Sequence, residues 1–232
     1  HVSPRPWPFP GEDGEAPEFK YDPHVWTSPK QAKIQVDNIV NTLSQASPQA
    51  KDAFTAAGKK YTDQLEDLDK WASDSMSAVP EQDRVLFSSH DAFGYFSNEY
   101  GVKFIGSALS DFNHQQDATS SHIDEQVKKV RESGAKAIFA ENSNNSKSIE
   151  AIARAAGVKA VTSDDALYGD SLGVPGSEGE TYIGSIVHNI NTLVSAWDSK
   201  QQPLPESLQE FDFAKRKSVS YTHLTLPTTP YV

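Results

Sequence analysis

The sequence contains no cysteine, which excludes both disulfide bonds and thiolate metal ligands. It also lacks a continuous apolar run of about 18 residues, the usual minimum for a transmembrane helix. Its longest basic cluster is Lys215-Arg216-Lys217, and its net charge is −11. Such an acidic chain is a poor partner for nucleic acid or for an anionic membrane surface. Because the chain has no thiolate, histidine nitrogens and carboxylate oxygens are the side-chain metal ligands to expect.

The two ends of the chain differ in composition from its middle. The first residues, H-V-S-P-R-P-W-P-F-P-G-E-D-G, include no initiator methionine and no signal-peptide pattern, and we expect a loop within a longer protein. Residues 218–232 carry no charge, although 23% of the chain is charged. Their central part, 219–228, resembles the translation of a sequencing adapter of the transposase type. We expect a non-native tail; a natural Thr/Pro-rich tail is the alternative.

Apolar periodicity predicts two helices before residue 80. Ser28 and Pro29 are typical of an N-cap followed by proline at the first helical position. A long second helix is predicted over 49–79, where apolar residues recur every three or four positions until Pro80. Its opposite face is charged, which indicates a half-exposed helix that could link two lobes.

After Pro80 the pattern alternates between short apolar runs and helical segments. The runs lie at 85–87, 102–105, 137–140 and 158–161. Strands that alternate with helices predict a doubly wound α/β lobe around a parallel sheet. Ser177 and Glu180 have the spacing of a capping box, which predicts the start of the last helix.

Three short motifs each place one potential metal ligand at the edge of a predicted element. They are D-P-H-V-W with His24, S-S-H-D-A-F-G-Y-F with His90, and Y-G-D-S-L-G with Asp170. Ligands of open parallel sheets bind outside the carboxyl ends of the strands, where His90, Glu141 and Asp170 are predicted to lie. Two imidazoles and a carboxylate suit a divalent ion such as zinc. Structural or surface roles for the histidines are the alternative.

Other motifs have competing interpretations. G-D-S-L-G matches the nucleophile elbow G-x-S-x-G around Ser171, but no strand is predicted directly before it and no helix directly after it. His114 and His122 flank a polar segment and could form a second, weaker ion site, although solvated surface histidines are a simpler explanation. His188 lies beside the apolar stripe of the last predicted helix, where we interpret it as a packing or capping residue.

Together with F-A-E-N-S and G-E-T-Y-I-G-S-I-V-H-N, these motifs resemble the substrate-binding proteins of zinc and manganese ABC importers. The resemblance runs from about Tyr21 to Trp197. It implies a two-lobed, periplasmic-binding-protein-like α/β fold with a long linking helix and a metal ion in the cleft between the lobes. It further implies that His24, His90 and Asp170 are metal ligands. Manganese importers commonly have glutamate at the position of His90, so the resemblance favours zinc.

The resemblance also implies a domain organisation. The family's first histidine lies much further upstream than His1 lies from His24, so we expect an incomplete N-terminal lobe and three of four ligands. We assign 1–48 to a remnant of this lobe, 49–79 to the linking helix, 80–200 to the C-terminal α/β lobe, 201–217 to a C-terminal extension and 218–232 to the non-native tail.

The function implied by the resemblance is not enzymatic. It is a monomeric protein outside the cytoplasm, periplasmic or lipid-anchored, that captures Zn²⁺ and delivers it to the membrane permease of an ABC importer. Two alternatives stay open. One is a hydrolase, either metal-dependent or acting through Ser171, which would need a base within hydrogen-bond reach of that hydroxyl. The other is a manganese-binding or adhesin-type protein with the same fold.

Overall fold

A computed structural model describes residues 4–6, 20–109 and 120–213 of the chain. It contains helices α1 (Pro29–Ala46), α2 (Lys51–Ser77), α3 (Gly94–Tyr100), α4 (Ser120–Ser133), α5 (Lys147–Ala156) and α6 (Tyr182–Ala196). The strands are β1 (Val85–Ser88), β2 (Lys103–Ser107), β3 (Ala137–Phe139) and β4 (Lys159–Val161). The predictions for His114, the side chain of His122 and the tail 218–232 lie outside the described residues.

Helices α1 and α2 pack against each other across the short 3-10 turn Pro48–Ala50. The predicted start of α1 is confirmed, since the side chain of Ser28 accepts the backbone N–H of Gln31 and proline occupies the first helical turn. The two helices approach closely at Gly58, where any Cβ atom would collide with Val40. The absence of a side chain at Gly58 thus leaves room for Val40 between the two helices.

The sheet has the strand order β2-β1-β3-β4, and all its pairs are parallel. Val85 and Phe87 of β1 pack with residues of α4 and α5, whereas Leu86 packs with residues of α2, α3 and α6. Helices therefore cover both faces, as the alternation of strands and helices predicts. The chain leaves β1 towards β2 but later returns to the other side of β1, so the strand order reverses between β1 and β3. A crevice opens at such a switch point.

The last helix begins later than predicted. Thr181 is its N-cap, and its hydroxyl oxygen accepts the N–H of Gly184 at 3.1 Å. The capping box at Ser177 and Glu180 was wrong, because both side chains stabilise a turn in the preceding loop. The Ser177 hydroxyl donates to the carbonyl of Val174, and the Glu180 carboxylate accepts the N–H of Gly176.

Helix α2 lies between α1 and α6 and contributes Leu65, Leu68 and Met76 to the core. The segment after α6 returns to α2, where Leu208 is fully buried and the Trp71 indole donates to the carbonyl of Gln202. The boundaries proposed for the two lobes and the linking helix stay a prediction. Among the described residues, no helix is both long and apolar enough to cross a membrane.

The corrected start of α6 can be tested by removing each candidate cap. We expect Thr181→Ala to lower the free energy of unfolding by about 1 kcal/mol, because the N–H of Gly184 loses its acceptor. Ser177→Ala, the matched control, should cost only a few tenths of a kcal/mol, as expected away from a cap. Urea denaturation followed by circular dichroism measures both; a larger loss for Ser177→Ala would restore the earlier helix start.

Candidate metal centre

The side chains of His24, His90 and Asp170 meet beside the sheet, each offering one ligand atom within 4.8 Å of the others. His90 Nε2 lies 2.9 Å from Asp170 Oδ2, and His24 Nε2 lies 3.5 Å from Asp170 Oδ1. The two imidazole centroids are 5.4 Å apart. Donors around a tetrahedral zinc ion with bonds of about 2.0–2.1 Å are separated by about 3.4 Å. The three side chains are thus spaced for one small cation.

Three separate segments bring these side chains together. His24 directly precedes the 3-10 turn Val25–Thr27 that leads into α1. His90 follows β1, where the Ser88 hydroxyl donates to its carbonyl at 2.7 Å. Asp170 lies in the loop after Leu167, which forms a parallel bridge with Glu141. His90 and Asp170 therefore lie at the carboxyl edge of the sheet, and His24 approaches from the α1 side.

A buried carboxylate contacts the Nδ1 atom of each histidine, on the side of the ring opposite the candidate metal position. Glu141 accepts the backbone N–H of His90 at 2.7 Å and lies 2.9 Å from its Nδ1. Asp22 accepts the backbone N–H of His24 at 2.9 Å and lies 2.7 Å from its Nδ1. A carboxylate on Nδ1 fixes the tautomer and directs the Nε2 lone pair towards a metal ion. Both rings are thereby oriented before any ion binds.

Sequence reasoning missed the roles of these two carboxylates. Glu141 was placed at the correct sheet edge without a function, and Asp22 was part of the motif D-P-H-V-W without an assigned role. The spacing of Asp22 two residues before His24 was the available signal, since a carboxylate there can bond both the backbone and the ring. For Glu141 no local signal existed, because its partner His90 is 51 residues away.

The Asp170 loop is tied to both sides of this centre. The Trp26 indole donates to the carbonyl of Gly169 at 2.9 Å, which connects the loop to the segment of His24. Gly169 also lies against Glu141, and a Cβ atom there would collide with the Glu141 carboxylate. Position 169 therefore requires glycine for the loop and the carboxylate to approach.

Residues 3–196 match the family described as zinc-uptake complex component A, periplasmic. The chain belongs to this family. The manganese-binding lipoprotein MntA of Bacillus subtilis strain 168 is 40% identical over 76% of the chain and 58% of its own length. The zinc-binding protein TroA of Treponema pallidum strain Nichols is 32% identical over 77% of the chain and 58% of its own length. The chain thus spans less than two thirds of these relatives.

Two solved structures of metal-binding proteins have the same fold as this chain. The periplasmic zinc-binding protein TroA of Treponema pallidum aligns with a TM-score of 0.71 at 30% identity, covering 80% of the chain and 67% of TroA. A manganese-bound periplasmic metal-binding protein of Candidatus Liberibacter asiaticus aligns with a TM-score of 0.68 over 83% of the chain and 68% of its own length. At 21% identity the second likeness concerns the fold alone. The predicted α/β fold of this class is confirmed.

The hydrolase alternative requires a general base at Ser171, and the hydrogen-bond partner that the structure shows there is not one. The Ser171 hydroxyl accepts a hydrogen bond from the Asn142 amide at 2.9 Å, and an amide does not take up a proton as a general base does. Among the residues that the structure describes, neither a histidine nor a carboxylate is hydrogen-bonded to Ser171. The serine lies in a loop rather than between a strand and a helix, which also departs from the nucleophile elbow.

The carboxylates around the imidazoles set the charge of the metal-free centre. Burial alone would lower the pKa of His90, but hydrogen bonds and charge from Asp170 and Glu141 outweigh it and raise this pKa to about 10. Burial, reinforced by the charge of Asp22, raises the pKa of the neighbouring Asp91 to about 6. A proton therefore occupies His90 at neutral pH, between two carboxylates.

This raised pKa predicts how the stability of the metal-free protein depends on pH. An unfolded histidine titrates near pH 6.5, so protonated His90 stabilises the fold fully below that pH and loses its contribution as pH rises towards about 10. In EDTA, the difference in unfolding free energy between wild type and His90→Gln should therefore shrink from pH 6 to pH 10. A difference that stays constant, or that grows with pH, would contradict the assignment.

Proposed function

We propose that this chain is the metal-capturing part of an extracytoplasmic substrate-binding protein that supplies an ABC importer. The observation that carries the proposal is the convergence of His24, His90 and Asp170, with both imidazoles held at Nδ1 by buried carboxylates. The set offers two imidazole nitrogens and one carboxylate oxygen to a single divalent ion, which would displace the proton from His90. The permease of the importer is the partner that would receive the ion, and the protein would act as a monomer.

Zn²⁺ is the proposed cargo. Imidazole nitrogens suit zinc, and a site of mixed nitrogen and oxygen donors binds Zn²⁺ more tightly than Mn²⁺ in the general order of divalent affinities. Relatives are named for both metals, so family membership leaves this choice open. The ligand chemistry at position 90 supports zinc. A fourth donor, from water or from another part of the protein, would complete a tetrahedron.

The burial of the ligands suggests how the ion is captured. His24 and His90 are each 1% exposed, whereas the side chain of Asp170 is 26% exposed. Asp170 therefore presents negative charge to solvent and meets the cation first. The ion then displaces the proton from His90 and gains the two buried nitrogens. Capture without chemical change of the cargo is the activity of a binding protein rather than an enzyme.

Calorimetric titration of wild type with Zn²⁺ and with Mn²⁺ tests the proposal. We expect Zn²⁺ to bind at least about tenfold more tightly than Mn²⁺, because two of the three donors are imidazoles. His90→Ala should weaken Zn²⁺ binding by more than about tenfold, whereas His122→Ala, the matched histidine control in α4, should change it by less than about twofold. Equal effects of the two variants, or a preference for Mn²⁺, would contradict the zinc site.

The supporting carboxylate should matter almost as much as a ligand. Glu141→Gln keeps the shape of the side chain but removes the charge that holds Nδ1 of His90, so Zn²⁺ affinity should fall about tenfold. The variant should also release less than the wild-type number of protons on binding Zn²⁺ at pH 8, because the pKa of His90 is lower without that carboxylate. Titration in buffers of different ionisation enthalpy measures this number, with exposed Glu150→Gln in α5 as control.

A further inference from the structure

The position of Asp170 depends on a loop that wraps around one aromatic ring. The loop runs from Leu167 to α6, and the N–H of Gly173 donates to the carbonyl of Gly179 at 2.8 Å. Both glycines lie against the Tyr168 ring, where any Cβ atom would collide with it. Because the loop closes around this ring, whatever fixes Tyr168 also fixes the carboxylate two residues later.

Asn189 of α6 holds the backbone of Tyr168 at both of its polar atoms. Its Oδ1 accepts the N–H of Tyr168 at 2.9 Å, and its Nδ2 donates to the carbonyl of Tyr168 at 2.8 Å. Asn189 is 1% exposed, so water cannot replace these bonds if the amide is removed. The buried side chain of Asn189 thus satisfies both backbone polar groups of Tyr168, as a neighbouring β-strand would.

His188, the adjacent residue of α6, holds the loop on both sides of Asp170. Its Nδ1 lies 2.7 Å from the Glu178 carboxylate, and its Nε2 lies 3.0 Å from the carbonyl of Ala166. The ring also packs edge-on against Tyr168, with centroids 4.8 Å apart. His188 therefore connects a residue before the loop and a residue near its end to one helix.

We propose that Asn189 and the His188–Glu178 pair are positioning residues for Asp170 in metal binding. They hold the loop at three points, Ala166, Tyr168 and Glu178, while Asp170 projects towards the imidazoles between them. Loss of a clamp spreads the carboxylate over more positions, which raises the entropy cost of binding an ion and leaves His24 and His90 in place. This inference rests on the proposed function, because it assumes that Asp170 is a metal ligand.

A double-mutant cycle with Zn²⁺ as the probe tests this coupling in the full chain. We expect Asn189→Leu to weaken Zn²⁺ binding about tenfold, as loss of a supporting contact does at other metal sites. In an Asp170→Asn background, the same substitution should change affinity by less than about twofold, since the carboxylate that it positions is already gone. A tenfold loss in both backgrounds would overturn the proposal in favour of a general structural effect, and no loss in either would overturn it outright.

A second variant covers the case in which Asn189→Leu does not fold. The Glu178 side chain is 42% exposed, so Glu178→Gln should fold normally while weakening one of the three clamps. Its Zn²⁺ affinity should fall about threefold, again only when Asp170 is present. Asn191→Leu is the matched control, because Asn191 is the next asparagine of α6 and makes no hydrogen bond to the loop among the described residues. An equal loss for Asn191→Leu would overturn the proposal.

The wild-type titration separates this proposal from the proposed function. Wild type that binds neither Zn²⁺ nor Mn²⁺ refutes the proposed function, and the positioning role is refuted with it. Wild type that binds Zn²⁺ while Asn189→Leu and Glu178→Gln bind it equally well refutes the positioning role alone.

Discussion

The paired contacts between buried carboxylates and histidines determine the rest of this centre. Glu141 and Asp22 each bond the backbone and the ring of one histidine, so the charge that orients the imidazole also fixes the chain that carries it. Burying two carboxylates is unfavourable unless each is fully hydrogen-bonded. The hydrogen bonds from the histidines therefore stabilise the buried carboxylates, and the same bonds orient the imidazole rings. Replacing either partner would remove hydrogen bonds from a buried polar group.

The sheet topology explains why these contacts form where they do. Parallel strands β1 and β3 are neighbours, so the residues that follow them, His90 and Glu141, emerge side by side although they are distant in sequence. The strand order reverses at this pair, which leaves space outside the sheet edge for Asp170 and for the His24 segment. The fold thus brings the three proposed ligands, His24, His90 and Asp170, together with the supporting carboxylate of Glu141 at one position.

Much of this could be read from the sequence, because the signals involved are local. Proline and serine set the start of α1, apolar runs of three or four residues marked the strands, and the three motifs marked His24, His90 and Asp170. What failed was also local: a capping box fits Ser177 and Glu180, but Thr181 lies nearer to the first turn and binds it instead. Contacts between distant residues, such as Glu141 with His90 or Asn189 with Tyr168, leave no local pattern. Only tertiary packing determines which carboxylate or amide lies beside such a residue.

The unequal exposure of the three side chains has a kinetic consequence. In the proposed site, an ion arriving from solvent would meet the carboxylate of Asp170 at the surface before the two imidazoles behind it. The order of bond formation is then fixed, and by microscopic reversibility the carboxylate bond is the last to break. The ion would leave only after both inner nitrogen bonds and then the carboxylate bond have broken, so all three side chains contribute to how long it stays. Asp170 therefore influences both the capture rate and the residence time, whereas the buried histidines act mainly on the residence time.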